Sequence, residues 1–287
     1  MKAVLLINRE AQRMRSEADH LVEIARAQKQ HDLTCRLLHA TELVKQLENS
    51  ELNIFERVIV AGGDGTVAAA ADRLATSDTE LGIIPGGTVN SFARSLEIPE
   101  DLGEALDVAL QSKAQKINLG KANGQYFTNA VSVGLSGEVA ESVPDELKAA
   151  IGSIGYLSWG LYKFVTTNAF EVKITVDGET IETETYQVVV ANSQLVGSLP
   201  VKHGADVAKD HLVVMTFGQS SSRVEHIKNL IAFARGNHDE APGVSLRRGK
   251  KITIETKDPQ KVDIDGEVVG NTPVVATIAT GALSVAF

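Results

Sequence analysis

The stretch Gly62-Gly63-Asp64-Gly65-Thr66 follows the apolar run Val58-Ile59-Val60-Ala61 and precedes a segment of Ala, Arg and Leu that reads as a helix. A strand that empties through glycines into a helix start offers free backbone N–H groups and the positive end of the helix dipole. No Cβ holds a bulky anion away. Phosphate is the natural guest. Asp64 would repel a bare phosphate, so its presence argues for a nucleotide carried with Mg²⁺. In isolation the stretch also reads as an ordinary strand-to-helix turn. It is neither a Walker A loop, because no Gly-Lys-Ser/Thr closes it, nor the dinucleotide fingerprint. A second turn shifts the balance: the apolar strand Leu81-Gly82-Ile83-Ile84-Pro85 runs into Gly86-Gly87-Thr88-Val89-Asn90-Ser91-Phe92-Ala93-Arg94, which again enters a helix. Two glycine turns at the carboxyl ends of neighbouring parallel strands face one crevice, the place where ligands bind in open α/β sheets.

In order and spacing, Gly62 to Thr66, Pro85 to Arg94 and, near the C-terminus, Ile264-Asp265-Gly266-Glu267 resemble the motifs of the bacterial lipid kinases of the diacylglycerol kinase family. The resemblance runs the length of the chain. Its first block is shared with sphingosine, ceramide and NAD kinases, and the second narrows it to the lipid branch. It implies an ATP- and Mg²⁺-dependent kinase that passes the γ-phosphoryl group to a hydroxyl of diacylglycerol, a sphingoid base or a related lipid, in a cleft between two domains.

The resemblance also carries roles onto residues. Gly62, Gly63, Gly65 and Thr66 would cradle the nucleotide, with Asp64 acting through Mg²⁺ and Gly87, Thr88 and Asn90 contributing from the second turn. Asn8, ending the first strand, matches the Asn of the family's Asn-Pro-x-x-Gly turn, although the Pro and Gly are absent here. Thr41 matches a nucleotide contact and reads equally well as an N-cap before Glu42-Leu43-Val44. Asp265 and Glu267 would share the roles of proton acceptor and metal contact. Taken alone, Asp-Gly is a common hairpin turn, and Asp177-Gly178-Glu179 repeats the triplet; what favours the second copy is its position in the family's order. Asp210, with the main-chain carbonyls of Val207 and Leu212, matches a structural Mg²⁺ site made of oxygen ligands, as that ion prefers.

The elements that must hold these residues alternate over the first half: strands at Ala3 to Ile7, Leu33 to Leu38, Val58 to Ala61 and Leu81 to Ile84, with helices at Gln12 to Gln30, Thr41 to Leu47, Asp64 to Leu74 and Asp101 to Leu110. The alternation predicts a mostly parallel sheet covered by helices. Past Asn118 short strands dominate: Val172 to Val176, Tyr186 to Ala191, Leu212 to Phe217, Ile252 to Glu255 and Val274 to Ile278, with helices expected over 143–164 and 224–233. The reading is an α/β, three-layer Rossmann-like domain over 1–119 and a β-rich, β-sandwich-like domain over 120–282 that supplies the acceptor site and the catalytic hairpin. The resemblance implies that the last strand, at 283–287, returns to the first domain. The aromatic stretch from Ile154 to Phe170 is the expected acceptor channel, though such spacing also suits a plain core helix.

A length of 287 residues, 43% hydrophobic and 23% charged, suits a two-domain globular enzyme. The net charge of −9 argues against nucleic acid as a partner, because that binding relies on clustered Lys and Arg. The single cysteine, Cys35, excludes a disulfide framework. No run approaches the roughly 18 apolar residues of a spanning helix, and no signal peptide is visible, so the expectation is a cytoplasmic protein that touches the membrane surface transiently to meet its lipid. Arg247-Arg248-Gly249-Lys250-Lys251 reads as a solvated turn or as a contact for headgroups. A homodimer is compatible with the chain.

Two departures from the family stand out: Ser91 and Asn118 occupy positions where the bacterial diacylglycerol kinases carry Asp. They keep two alternatives open, a soluble-metabolite kinase nearer to NAD kinases and a nucleotide-binding protein with reduced or no turnover.

Overall fold

The computed structural model describes residues 1–134, 168–196, 199–200, 205–218 and 243–287. The helices expected over 143–164 and 224–233, and most of the aromatic stretch from Ile154, lie outside the described residues. Two compact units emerge, one formed by Met1–Leu119 with Ala279–Phe287 and the other by Gly120–Ile278.

In the first unit the chain runs β1 (Lys2–Asn8), α1 (Met14–Ala27), β2 (Asp32–Leu38), α2 (Ala40–Glu48), β3 (Arg57–Gly62), α3 (Asp64–Leu74), β4 (Glu80–Pro85), α4 (Ser91–Ser95), α5 (Leu102–Gln111) and the start of β5 (Ala114–Ala122). The parallel strands lie in the order β2-β1-β3-β4. Ala3 to Ile7 and Val58 to Ala61 are buried on both faces, which is why they read as unbroken apolar runs. Helix α3 covers the sheet with Val67, Ala70, Ala71 and Leu74, spaced as one helical face demands. Helix α1 is shorter than its periodic pattern and buries Met14, Ala18, Leu21, Val22 and Ala25. Sequence order reverses between β1 and β3: from β1 the chain steps outward to β2, then crosses back to β3. The carboxyl ends of those two strands are the switch point where such sheets bind ligands.

The second unit continues with β6 (Gln125–Phe127), β7 (Ala130–Gly134), β8 (Phe170–Val176), β9 (Glu179–Ala191), β10 (Leu195–Val196), β11 (Leu199–Pro200), β12 (Leu212–Gly218), β13 (Val244–Gly249), β14 (Lys251–Thr256), β15 (Lys261–Ile264), β16 (Glu267–Asn271) and β17 (Val274–Ala286). Its antiparallel order is β16-β15-β7-β9-β8-β14-β17, with β12 pairing β9 and β13. Alternation sets the core. In β8, Val172, Ile174 and Val176 point inward, while Glu171 and Lys173 stay outside. These side chains join Val131, Val133, Val188, Val190, Ile252, Ile254, Val262 and Ile264 in one apolar cluster, each worth roughly 1.5–3 kcal/mol of burial. Strand β9 is long enough to serve three neighbours: Glu179 to Thr185 pair with β8, and Gln187 to Ala191 pair with β7 and, from the other side, β12.

The expected strands, Val274 to Ile278 and a last strand at 283–287, are one continuous strand, β17. Gly281 takes a positive φ of 60° that glycine adopts freely, and its N–H donates to Asn118 Oδ1 at 2.8 Å, so the strand bends without ending. Its last residues, Val285 and Ala286, pair in parallel with Leu81 and Gly82 of β4.

Candidate active site

The two glycine turns of the first unit leave adjacent strands at one level. Gly62 pairs with Pro85, and the Gly86 N–H donates to Gly62 O at 2.8 Å. The turns then stack backbone on backbone. A Cβ added at Gly87 would lie 2.6 Å from the Cα of Gly63, and one at Gly86 would lie 3.1 Å from the Cα of Gly62. Only glycine allows the two loops to sit this close. Gly65, by contrast, is exposed, and a Cβ there would meet nothing within 4 Å. Close approach of the backbone to a guest, rather than packing, is what a glycine at that position permits.

Hydrogen bonds fix the pair of turns from below. Asn8, at the end of β1, is buried and donates from Nδ2 to Thr66 Oγ1 at 2.9 Å, while its Oδ1 accepts the Glu10 N–H at 3.0 Å. Asn90, in the left-handed region at φ 51°, exchanges hydrogen bonds with Gly87: Gly87 N–H to Oδ1 at 2.9 Å and Nδ2 to Gly87 O at 3.0 Å. Thr88 is exposed and donates to Gln12 Oε1. Thus the side chains of Asn8, Thr66 and Asn90 shape the loops, and Gly65 and Thr88 stay exposed.

Asp64 opens helix α3, whose N-terminus carries no side-chain cap. Its Oδ1 accepts the Phe92 N–H at 3.4 Å, so the carboxylate of the first turn faces the start of the helix that follows the second. Burial pushes its pKa up from the ordinary carboxylate value, and the backbone donors of Phe92, Ser91 and Asn90 oppose that push. An uncapped helix end, a glycine floor and one half-buried carboxylate fit a phosphate chain escorted by Mg²⁺. Gly63, Gly65 and Thr66 would hold the phosphates, and Asp64 would meet the ion, which supplies charge neutralisation.

In the second unit, Asp265 and Gly266 form a two-residue hairpin turn between β15 and β16, with φ 49° and 96°, a type I′ pattern. The Asp265 carboxylate does more than turn the chain. Oδ2 accepts the Thr128 N–H at 2.7 Å and Thr128 Oγ1 at 2.8 Å, and Oδ1 accepts the Asn129 and Ala130 N–H groups at 2.8 and 2.9 Å. Burial pushes this carboxyl's pKa up, and those donors pull the other way. The 128–130 segment is braced in turn: Asn192 Nδ2 donates to Thr128 O at 3.0 Å, and Ser193 Oγ donates to Asn129 Oδ1 at 3.1 Å. Glu267, opening β16, is exposed and has no hydrogen-bond or ion-pair partner among the described residues. Asp263 lies two residues before Asp265, is 7% exposed, and accepts the Gly266 N–H at 3.0 Å. Burial, reinforced by the charges of Asp265 and Glu267, pushes its pKa up to about 6.

Helix α2 begins at Ala40 with His39 at the cap position, where its N–H donates to Glu42 Oε2 at 3.0 Å. The cap reading of Thr41 is therefore corrected: Thr41 is an exposed residue of the first turn, just beyond the carboxyl end of β2. Asp210 is exposed and bound by Lys250 Nζ at 2.6 Å, which holds its pKa down, and Val207 and Leu212 are buried. A cation at Asp210 must displace that ammonium. Asn118 spends Oδ1 on Gly281, a bond that a carboxylate would make equally well, and Ser91 is 2% exposed. Among the described residues, no group of three or more His, Cys, Asp or Glu side chains is placed to hold a metal. Sequence reasoning missed Thr128, Asn129, Asn192, Ser193 and Asp263. The signal for the first four was polar residues, Thr-Asn and Asn-Ser, interrupting apolar runs at strand ends.

Residues 2–122 match the model of the diacylglycerol kinase catalytic domain, and residues 129–287 match that of the YegS C-terminal NAD kinase beta sandwich-like domain. The chain belongs to the bacterial diacylglycerol kinase-like lipid kinase family. It is 29% identical over 246 residues to the diacylglycerol kinase of Bacillus subtilis strain 168, covering 85% of this chain and 80% of that one. To the diacylglycerol kinase of Staphylococcus aureus strain Newman it is 29% identical over 223 residues, 76% of this chain and 70% of that one. A solved structure from Bacillus anthracis strain Sterne superimposes with a TM-score of 0.83 at 26% identity, over 100% of this chain and 95% of its own. The family architecture, parallel strands with helices followed by a β-rich part, is the one described above. Among the described residues, no helix is long and apolar enough to cross a membrane.

Proposed function

We propose that this kinase transfers the γ-phosphoryl group of ATP to a hydroxyl of diacylglycerol, a sphingoid base or a related lipid presented at a membrane surface. The observation that carries the reading is the stacked pair of glycine turns at the carboxyl ends of β3 and β4, with Asp64 at the uncapped start of α3. Catalysis of phosphoryl transfer is chiefly positioning and charge stabilisation, which such a backbone cradle supplies. The acceptor hydroxyl gives its proton to a carboxylate of the 265–267 hairpin, Glu267 being the one whose side chain has no partner among the described residues. Its oxygen bonds to the γ-phosphorus as the bond to the bridging oxygen breaks, and ADP leaves with that electron pair. A structural Mg²⁺ on Asp210 and the carbonyls of Val207 and Leu212 belongs to the same proposal.

Incubation of the protein with γ-labelled ATP, Mg²⁺ and a mixed lipid extract tests it. The expected result is a labelled lipid that is lost with Asp64→Ala and with Glu267→Gln, both variants remaining folded. Label in a water-soluble acceptor would move the assignment toward NAD-kinase-like chemistry. Nucleotide binding without transfer to any acceptor would leave a binding protein.

A further inference from the structure

We propose that Asp265 is a positioning residue, and that Thr128 is its partner in holding the hairpin that presents Glu267. This rests on the kinase reading for its catalytic part and on the geometry alone for the anchoring.

Each oxygen of an ionised carboxylate offers about two acceptor sites. In Asp265 these are spent: Thr128 supplies its N–H and hydroxyl to Oδ2, and Asn129 and Ala130 supply their N–H groups to Oδ1, all between 2.7 and 2.9 Å. No acceptor site remains for a substrate hydroxyl. The Asp265 N–H also donates to Ala130 O at 3.0 Å, so the residue grips the same segment through backbone and side chain together. Behind that segment stand Asn192 and Ser193, both fully buried, which hold Thr128 O and Asn129 Oδ1. A chain of hydrogen-bonded buried residues therefore runs from the end of β9 to the tip of the hairpin, an arrangement that fixes one geometry.

The chain contains its own control. Asp177-Gly178 makes the same turn, with φ 49° and 97°, and there too the carboxylate accepts backbone N–H groups of a neighbouring segment, from Lys250 and Lys251 at 2.8–3.0 Å. That copy lies outside the family's order of motifs. An Asp at the first turn position that clamps an adjacent backbone is thus a fastening this fold uses at both Asp-Gly hairpins, and Asp265 has the fuller set of donors.

Two measurements test the proposal. The first is amide hydrogen exchange at Thr128, Asn129 and Ala130, which needs no acceptor: Asp265→Ala is expected to speed it about tenfold or more, as local opening loses its brace. The second is phosphoryl transfer from ATP to dioleoylglycerol in phosphatidylcholine vesicles. Thr128→Val is expected to lower kcat about tenfold with the KM for ATP unchanged, because the hairpin shifts while the nucleotide site does not, and Thr128→Ser is expected to restore kcat. Asp177→Ala should speed exchange at Lys250 and Lys251 and leave kcat unaffected. Were Asp265 itself the proton acceptor, Thr128→Val would free an acceptor site and hold or raise kcat; that result overturns the assignment. Unchanged exchange at residues 128–130 in Asp265→Ala overturns the anchor. A parent chain that labels no dioleoylglycerol defeats the diacylglycerol form of the kinase reading, and the exchange arm then decides the anchor by itself.

Discussion

Asp263→Asn should make the protein more stable, and only above the pH at which Asp263 ionises. In the folded chain burial at 7% exposure, joined by the charges of Asp265 and Glu267 and opposed by the hydrogen bond from the Gly266 N–H, raises the pKa of this carboxyl from 3.8 to about 6. The difference of about 2 pKa units corresponds to about 3 kcal/mol. The sign follows from proton counting. Between pH 3.8 and about 6 the folded chain keeps a proton that the unfolded chain has released, so raising the pH drains stability across that window, and above about pH 7 the loss is complete. The amide of the substituted asparagine would accept the Gly266 N–H as the carboxylate does, and it carries no charge. The parent and Asp263→Asn should therefore unfold at similar urea concentrations at about pH 4, while at about pH 8 the variant gains up to about 3 kcal/mol. Urea titrations at constant ionic strength measure this. An equal difference at both pH values, or a less stable variant at the higher one, would refute the reasoning.

Two contrasts probe the first unit. Gly87→Ala brings a Cβ to 2.6 Å from the Gly63 Cα and should distort both turns, lowering stability by about 1–3 kcal/mol together with nucleotide affinity; Gly65→Ala meets nothing within 4 Å and should weaken nucleotide binding with the melting temperature unchanged. Calorimetry and thermal denaturation of the two variants separate packing from ligand approach. Arg57 is 4% exposed, paired with Glu80 and bonded to the carbonyls of Ala109 and Ser112, so Arg57→Ala should cost about 3–5 kcal/mol in urea unfolding, against less than about 1 kcal/mol for an exposed pair such as Lys173–Glu255.

Much of the first unit was legible because its signals are local. Continuous apolar runs marked β1, β3 and β4, glycine turns followed the last two in sequence, and the alternation implied parallel strands. The hairpin acids were legible as a turn and illegible as an environment. Asp177-Gly178-Glu179 and Asp265-Gly266-Glu267 are the same triplet with the same backbone, and what separates them is the partner segment, Lys250 and Lys251 in one case and Thr128 to Ala130 in the other. Those partners lie 135 or more residues from Asp265, beyond any window of local pattern. Asp263 escaped for a related reason. On an alternating strand, Lys261-Val262-Asp263-Ile264 suggests a solvated acid, yet its side of β15 is closed, and Asp263 pairs in register with the buried Ser132 of β7. The cap alternative for Thr41 rested on the frequency of Thr at helix caps, whereas here the cap position lies two residues earlier, at His39.

The central claim is that a magnesium-complexed nucleotide docks on the loop from Gly62 to Thr66. Isothermal titration of ATP into the parent chain and into Asp64→Ala, each with Mg²⁺ and with a chelator, tests it most directly. The account predicts binding that tightens about tenfold or more with Mg²⁺ in the parent and loses that dependence in Asp64→Ala. Equal affinity and equal Mg²⁺ dependence in the two proteins would contradict it.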